Sequence, residues 1–396
     1  AGATVVGWYP ITPSTSVVEA FERFAGRYRL DPDTGRRRYA AIQAEDELAA
    51  IGIAIGAGWN GARAFTATSG PGISLMSEFL GLAYFTEIPV VLINVQRSGP
   101  STGMPTRTQQ SDLLACAYAS HGDTRNVLLF PSDPRECFDM TADAFDLADR
   151  LQTPVIVMSD LDLGMNDHLC APFSWDDQRR YDRGKVLSGE ELDQLEKKWG
   201  RYLDIDKDGI CYRTLPGAHP EKGAYTTRGT SHNEYAAYTE GSAAYERGMN
   251  RLLNKWETAR RLVPMPEIVI RDKQKKLGAF FFGSTTASAI EALDRLEESG
   301  IAVNSMRIKA FPFQAEVFDF ISEHELVFAI EQNRDCQMQI LLAGECLVAP
   351  GKMMPVTNFN GLAITARMIT NQVHTTLLAR EKSFISPAPV AQEETS

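Results

Sequence analysis

The residues best suited to chemistry lie in a donor-rich stretch, NVQRSGPSTGMPTRTQQSDL, which follows a predicted strand. The planar guanidinium of arginine can bind a carboxylate through two hydrogen bonds, and hydroxyl and amide groups add neutral donors. A solvated loop would not need this density of donors with so few acids, so the residue types favour binding of a small acidic ligand. The candidate donors are Arg97, Ser101, Thr102, Thr106, Arg107, Gln109 and Gln110.

A pair of acids stands in QAEDE, at the start of a helix predicted over residues 43–58. The pattern places Glu45 and Glu47 in the first turn, where the helix dipole stabilises negative charge. Acids there are usually dipole partners, and Gly52 and Gly56, four residues apart, indicate close packing against another backbone. Residue types and spacing alone therefore favour a structural role for this helix start.

Two further loops follow predicted strands. Residues 9–13, YPITP, contain two prolines, which fix φ and supply no backbone donor, so this loop is predicted to be rigid. Ser14 or Thr15 can cap the helix that follows. Residues 68–72, TSGPG, open another helix whose amides could hold an anion, although a tight turn is the favoured interpretation. Ligands of open α/β sheets bind at this edge, beyond the carboxyl ends of the strands.

The elements that position these loops alternate between apolar strands and helices from Thr4 to about Ser159, which predicts a parallel sheet covered on both faces. Residues 172–238 are polar and irregular, a helix is predicted near 241–262, and the alternation returns from Lys276. The sequence therefore predicts an α/β fold. Its parts are a first domain over 1–165, an irregular connecting region over 166–265, a smaller α/β domain over 266–382 and a disordered tail over 383–396.

The composition argues against several classes of partner. A formal net charge of −11 leaves no basic surplus for nucleic acid or for an anionic membrane surface. The longest apolar runs, such as PVVLINV, fall far short of the roughly 20 residues that span a bilayer. The six cysteines include no Cys-x-x-Cys pair, so neither a zinc site nor a disulfide framework is indicated, and a reducing, cytoplasmic compartment is expected.

One weaker motif runs from Asp204 through Asp206 and Asp208 to Gly209 and copies the first half of a calcium-binding loop. Its twelfth position would be a bidentate glutamate but is Leu215, and no helix–loop–helix pattern surrounds it. An Asp-rich turn is the favoured interpretation, and the sequence assigns no metal ligand.

Taken in order, YPITPST, QAEDE, TATSGPG and NVQRSGPSTGMPTRTQQSDL resemble the α subunit of 2-oxoacid:ferredoxin oxidoreductases, most closely the 2-oxoglutarate type. The resemblance is dense over residues 3–165 and continues more thinly through DGICYRTLPG, SHNEY and NFNGLAITARMIT. It implies a doubly wound pyrimidine-binding domain of a thiamine diphosphate enzyme over 1–165. It also implies a smaller domain over 266–382 that is similar to the transketolase C-terminal domain.

The reaction implied by this resemblance is the reversible, CoA-dependent oxidative decarboxylation of a 2-oxo acid, with electrons passed to ferredoxin. The expected conversion is 2-oxoglutarate to succinyl-CoA and CO2. The same chemistry on pyruvate or another 2-oxo acid is an alternative, as is a non-catalytic α/β protein that binds a small acid.

The resemblance also suggests roles for individual residues. Glu47 precedes Gly56 by nine positions, the spacing of the catalytic glutamate in related enzymes, and Glu45 is the alternative. This glutamate would hydrogen-bond N1′ of the aminopyrimidine. The expected substrate-binding residues are Thr12, Arg97, Ser101, Thr102 and Arg107, and the expected cofactor-binding residues are Tyr9, Pro10, Glu47, Thr68, Ser69 and Gly70.

Several expected motifs are missing from this chain. No GDG followed by an asparagine occurs, and the cysteine spacing does not provide a [4Fe–4S] site. The resemblance therefore implies a β subunit that carries the Mg²⁺-diphosphate domain and the cluster, in an assembly of at least (αβ)2, with CoA as co-substrate. Because the chain starts without methionine and close to a strand, upstream sequence is also expected, including a helix and in some members a γ domain.

Overall fold

The computed structural model of the protein describes residues 1–345, 348–349 and 351–385. Residues 386–396, most of the predicted tail, lie outside this range, so the predicted disorder of the tail stays a prediction. Within the described residues, no helix is long and apolar enough to cross a membrane.

The first part of the chain builds a sheet in which β5, β6, β4, β3, β1 and β2 lie side by side, all parallel. Every residue of β4 and β6 is buried, as their continuous apolar sequences predict. The strands are β1 (Val5–Trp8), β2 (Ala40–Gln43), β3 (Ala64–Thr68), β4 (Val90–Gln96), β5 (Val127–Leu129) and β6 (Pro154–Asp160). The helices are α1 (Thr15–Tyr28), α2 (Glu47–Trp59), α3 (Gly70–Thr86), α4 (Leu113–Ala117), α5 (Pro134–Leu151) and α6 (Leu161–Met165).

The middle of the chain is largely irregular and contains α7 (Gly189–Gln194) and α8 (Ser242–Arg260). The last part forms a second sheet in the order β12-β11-β8-β9-β7, in which only β7 runs antiparallel among the strands described. Its strands are β7 (Glu267–Val269), β8 (Leu277–Phe282), β9 (Asn304–Ile308), β11 (Leu326–Glu331) and β12 (Met353–Thr357). Its helices are α9 (Thr285–Glu298), α10 (Ala315–Glu323), α11 (Gln337–Glu345) and α12 (Ala366–Ile385).

The two sheets share one short element. Strand β10 (Ala310–Phe311) follows β9 in the chain but pairs antiparallel with β5, through Ala310 to Leu129 and Phe311 to Leu128. The first sheet therefore has seven strands, and one of its two outer strands, β10, comes from the C-terminal part of the chain.

The start of the second helix differs from the prediction. Gln43 is the last residue of edge strand β2, and α2 begins only at Glu47, so Glu45 lies before the helix and not in its first turn. The reason is the cap: the Asp46 side chain accepts a hydrogen bond of 2.7 Å from the Ala49 backbone amide, which fixes the helix start. Of the two candidate glutamates, Glu45 and Glu47, only Glu47 therefore lies in the helix.

A buried charge cluster ties the middle region to the first sheet. Glu87, which follows α3 with a left-handed φ of 58°, is 1% exposed. Its carboxylate accepts hydrogen bonds from Arg251 (2.5 and 3.0 Å) and from Lys255 (2.9 Å), both on α8. Its carbonyl accepts from Arg201 (2.9 Å), whose side chain is also buried. Burial alone would raise the pKa of Glu87, but the neighbouring cations hold it well below the ordinary value.

We predict that Glu87→Gln lowers the free energy of unfolding by about 3–5 kcal/mol, because it leaves buried cations without their counter-charge. Glu78→Gln is the matched control, since Glu78 is an exposed glutamate on α3, the helix that Glu87 follows. Denaturant unfolding of both variants near neutral pH measures the difference. An effect no larger than that of Glu78→Gln would contradict the role assigned to this cluster.

The depressed pKa of Glu87 also gives the sign of a pH effect. The ionised Glu87 contributes fully to the free energy of unfolding above pH 4.5, the ordinary pKa of glutamate. This contribution is lost as the pH falls below that value. The stability gap between the wild-type protein and Glu87→Gln should therefore narrow in acid.

Candidate functional site

The loops singled out in the sequence meet at one edge of the first sheet. Strands β4, β3, β1 and β2 are parallel neighbours, so the segments that follow them leave the sheet at the same side. These segments are residues 9–13 after β1, residues 44–47 after β2, residues 69–72 after β3 and residues 97–112 after β4.

Glu47 is the most unusual carboxylate at this edge. It is only 6% exposed, yet its carboxylate has no hydrogen bond or ion pair with any residue that the structure describes. Its Cγ lies 2.8 Å from the place where a Cβ on Gly72 would be. Its oxygens are not among the buried polar atoms that lack a hydrogen bond, so the carboxylate reaches the open space at this edge, where it can contact a ligand. Glu45, the alternative, is exposed.

The TSGPG loop makes room for Glu47. A side chain at Gly72 would overlap both Glu47 and the hydroxyl of Thr68, so glycine is required by close approach. Thr68 and Ser69 are fully buried, and the Ser69 hydroxyl has no hydrogen-bond partner within the described structure. Gly70 begins α3, so the positive end of this helix faces the same edge.

Arg97 is a second charged side chain at this edge that has no counter-charge among the described residues. It is 6% exposed, and its guanidinium donates to the backbone carbonyls of Thr12 (2.7 Å) and Thr102 (3.3 Å). Its Nε atom is buried without a partner, and Arg97 forms no ion pair with any residue in the described parts of the chain. The positive charge is thus held in place by neutral groups and remains available to an anion.

The YPITP loop is held by short-range hydrogen bonds. The Ile11 amide donates to the Thr15 hydroxyl (3.0 Å), and the Ser14 hydroxyl donates to the Ile11 carbonyl (3.2 Å). The prediction that Ser14 or Thr15 caps α1 is wrong: Ser14 precedes the helix but makes no capping bond with its side chain, because both hydroxyls face back to Ile11. Thr12 is exposed at the tip of this loop, as are Tyr9 and Pro10.

The remaining donors of the Arg97 loop divide into two groups. Ser101, Thr102 and Arg107 are exposed, and the Arg107 guanidinium donates to the neighbouring Thr106 carbonyl while its stem lies against Gly361. Gln110 is buried and holds the two sheets together instead. Its amide donates to Asp160 (2.9 Å) and to Ser284 (3.2 Å), and the Thr285 hydroxyl donates to its oxygen (3.0 Å).

The structure adds one site residue that sequence reasoning missed, Asp112, at the end of the same loop. Its carboxylate accepts from Asn94 (3.0 Å), and its other oxygen lies 3.0 Å from the place of a Cβ on Gly70. Burial raises the pKa of Asp112 to about 6, against the effects of the Asn94 hydrogen bond and the Arg97 charge. The only signal in the sequence is that Asp112 is an acid in a loop otherwise rich in donors.

The calcium-like motif is occupied by a side chain. The ammonium group of Lys185 binds Asp206 (2.6 Å) and Asp208 (2.9 Å), and the remaining acid, Asp204, accepts from the Gly209 amide (2.9 Å). This ammonium takes the place that a cation would need, which supports an Asp-rich turn. In the part of the chain that the structure describes, no cluster of histidine, cysteine or acidic residues could hold a metal ion.

Comparisons with known proteins define the class to which this fold and sheet edge belong. The family model described as pyruvate flavodoxin/ferredoxin oxidoreductase, thiamine diphosphate-binding, matches residues 1–169. A split-gene transketolase has the same fold, with a TM-score of 0.50 at 13% identity over 95% of this chain and 92% of that chain. The predicted pyrimidine-type domain with a transketolase-like C-terminal domain is therefore confirmed as a fold.

Closer relatives identify the family. The α subunit of 2-oxoacid:ferredoxin oxidoreductase 2 from Aeropyrum pernix is 32% identical over 97% of this chain and 60% of its own length. The 2-oxoglutarate synthase subunit KorA from Methanothermobacter thermautotrophicus is 33% identical over 84% of both chains. The chain belongs to the family of 2-oxoacid:ferredoxin oxidoreductase α subunits.

One solved structure is similar over almost the whole chain. It is the 2-oxoglutarate:ferredoxin oxidoreductase from Magnetococcus marinus with 2-oxoglutarate, coenzyme A and succinyl-CoA bound. The TM-score is 0.83 at 31% identity, over 94% of this chain and 62% of that chain. The chain thus spans about 60% of the length of the Aeropyrum and Magnetococcus proteins.

We predict that Gly72→Ala lowers the free energy of unfolding by about 1–3 kcal/mol, because the new methyl group overlaps Thr68 and displaces Glu47. Gly56→Ala is the matched control: Gly56 lies in α2, where an added Cβ meets no neighbouring atom, so this variant should be unchanged or stabilised by about 0.5–1 kcal/mol. Thermal or denaturant unfolding compares them. Equal stability of the two variants would show that Glu47 and Gly72 are not in close contact.

Proposed function

We propose that this chain is the subunit that supplies Glu47 and Arg97 to the active site of a 2-oxoacid:ferredoxin oxidoreductase. The reaction is the CoA-dependent oxidative decarboxylation of 2-oxoglutarate to succinyl-CoA and CO2, with electrons passed to ferredoxin. The observation that carries the proposal is Glu47 beside the TSGPG loop, a residue only 6% exposed whose carboxylate has no partner among the described residues. The Methanothermobacter relative is named for 2-oxoglutarate, and the Magnetococcus enzyme binds it, which supports this substrate.

The residues at the sheet edge fit thiamine diphosphate. Glu47 presents a carboxylate that has no partner among the described residues, and the buried Ser69 hydroxyl of the adjoining loop also lacks a hydrogen-bond partner there. When bound, the cofactor supplies a reactive carbanion and stores the electrons released on decarboxylation. In this proposal Glu47 would hold a proton at N1′ of the aminopyrimidine, and Thr68, Ser69 and Gly70 would hold the ring. Tyr9 and Pro10 of the β1 loop would contact the cofactor from the other side of the edge.

Arg97 is the proposed partner of the substrate carboxylate. A buried guanidinium held only by carbonyl groups gains most from an anion that completes its hydrogen bonds, and its planar shape suits a carboxylate. Because the same guanidinium fixes the Thr12 carbonyl, substrate binding and the position of the β1 loop are coupled. Thr12, Ser101, Thr102 and Arg107 form the exposed rim where the rest of the oxo acid would lie.

Arg97 alone does not distinguish one oxo acid from another, and this leaves two alternatives. Pyruvate or another 2-oxo acid shares the carboxylate that Arg97 would bind. A non-catalytic protein that only binds a small acid would also use Arg97, but it would have no use for a buried, unpartnered Glu47. The distinction between catalysis and simple binding therefore depends on Glu47.

In the assembled enzyme, we predict that Glu47→Gln lowers 2-oxoglutarate- and CoA-dependent reduction of ferredoxin by about 10²- to 10⁴-fold, as expected for the loss of a positioned acid–base group. The variant should still fold, because the substitution is nearly isosteric. Glu45→Gln, two residues away and exposed, is the matched control and should keep its activity.

If the Glu45→Gln variant is inactive and the Glu47→Gln variant is active, Glu45 and not Glu47 is the catalytic residue. If the wild-type complex, with its cofactor bound, reduces no acceptor with any 2-oxo acid, the enzyme proposal itself fails and the binding-protein alternative gains support. Relative kcat/KM values for 2-oxoglutarate and pyruvate decide the substrate.

The active site further requires a partner chain. We propose a β subunit that carries the Mg²⁺-diphosphate site and the [4Fe–4S] cluster, in an (αβ)2 assembly that binds CoA and ferredoxin. Helices α2 and α3 support this, because they lie side by side, with Gly52 against the Phe79 ring, and have few charged residues on any face. Leu48 (40% exposed), next to Glu47 in α2, and Leu75 (54% exposed), near the start of α3, present apolar surface.

The unbonded state of the cysteines in the described residues supports a cytoplasmic location.

We predict that Leu75→Asp prevents assembly with the β subunit while the chain itself folds, because a carboxylate would be buried without a partner in the interface. Leu253→Asp on α8 is the matched control, since Leu253 is 49% exposed and lies outside α2 and α3. Co-purification and sedimentation of the two variants measure assembly. Normal assembly of Leu75→Asp would place the interface elsewhere.

A further inference from the structure

Asp112 is attached to the strand that leads to Arg97. Its carboxylate accepts a hydrogen bond from Asn94 (3.0 Å), and its own backbone amide donates to the side chain of Gln96 (3.1 Å). Asn94 and Gln96 are both buried residues at the end of β4, directly before Arg97. Two hydrogen bonds therefore fix the position of Asp112 relative to Arg97, whose positive charge has no counter-charge among the described residues.

The second oxygen of Asp112 is free. It accepts no hydrogen bond from the described residues, and it lies 3.0 Å from the place of a Cβ on Gly70, the first residue of α3. Glu47 lies against Gly72 in the same loop. The TSGPG loop is thus bordered by two carboxylates, of which Glu47 is assigned to the cofactor and Asp112 has no role in the mechanism so far described.

The charged and titratable groups that interact with Asp112 are few. The Arg97 charge lowers the pKa of Asp112, while burial, the larger effect, raises it to about 6. The Cys116 thiol is fully buried. Burial, and to a smaller extent the Asp112 charge, raises the pKa of Cys116 well above its ordinary value, so this thiol stays neutral. Because the interaction between two charges is reciprocal, the ionised Asp112 also weakens the attraction of Arg97 for another anion.

We propose that Asp112 is a positioning residue of the oxo-acid site, whose carboxylate offsets part of the Arg97 charge and so sets the affinity for the anionic substrate. This inference rests on the proposed function only in naming a 2-oxo acid as the ligand of Arg97. The electrostatic effect on Arg97 applies to any small carboxylate.

The test compares the wild-type complex with Asp112→Asn, which removes the charge but keeps an oxygen to accept the Asn94 hydrogen bond. KM for 2-oxoglutarate is measured from about pH 5 to about pH 8, the range in which such groups titrate. In the wild type, KM should rise by roughly 5-fold or more as Asp112 ionises, whereas in Asp112→Asn it should stay near the low-pH value. The kcat values should change much less. Asp123→Asn, an exposed aspartate nearby in sequence, is the matched control and should follow the wild type.

A purely structural role for Asp112 would lower stability or kcat without changing how KM depends on pH. The same pH dependence of KM in wild type and Asp112→Asn would overturn the proposal. If the asparagine variant does not assemble, Asp112→Ser removes the same charge with a smaller side chain.

Binding of oxalate, a small dicarboxylate, provides a readout that does not depend on turnover. Calorimetry on the complex near pH 8 should show tighter oxalate binding to Asp112→Asn than to wild type, and Arg97→Gln, which removes the positive charge, should abolish this difference. Equal binding would overturn the inference even if the enzyme proposal stands. Tighter binding in a complex that turns over no oxo acid would support the inference while the proposed function fails.

Discussion

The close approach of Glu47 to Gly72 is the contact on which the rest of the site depends. The Glu47 side chain can be only 6% exposed at the start of α2 because the neighbouring loop has no Cβ at the point where the Cγ of Glu47 approaches it. The parallel register of β2, β1 and β3 brings this helix start and this loop to the same edge of the sheet. With the Asp46 cap fixing where the helix begins, Glu47 is presented to the edge, and Glu45 remains in solvent.

The second constraint is electrostatic. Arg97 is buried and has only carbonyl partners, and these come from two different loops, so one guanidinium fixes both loops and still lacks a counter-charge. The Arg97 charge lowers the pKa of Asp112, although the two form no ion pair in the described structure. The sheet edge therefore combines a carboxylate that lacks a donor with a cation that lacks an anion. A cofactor with a basic ring nitrogen and a substrate with a carboxylate would complete both.

Much of the fold could be predicted because its signals are local. The apolar sequences of β4 and β6 and the glycine-opened α3 predicted a parallel α/β sheet, and the order of four motifs predicted the family. The edge strand β2 was not predicted, because its four residues are half-exposed and do not alternate in polarity. The two-residue β10 carries no periodic signal at all.

The interactions that define the site could not be predicted, because their partners are distant in sequence. The Arg97 guanidinium bonds a carbonyl 85 residues earlier, and Gln110 contacts Ser284 and Thr285 more than 170 residues later. The Gln110 amide looked like a ligand donor in the sequence but is used between the two sheets. Conversely, Asp112 looked unremarkable until the fold placed it against Gly70.

The most direct test of this account is a structure of the assembled complex with thiamine diphosphate bound. The account predicts that the Glu47 carboxylate lies within hydrogen-bonding distance, about 2.6–3.2 Å, of N1′ of the aminopyrimidine, and that the diphosphate and Mg²⁺ are held by the partner chain. A Glu47 carboxylate beyond hydrogen-bonding reach of the ring, or a diphosphate bound by this chain, would contradict it.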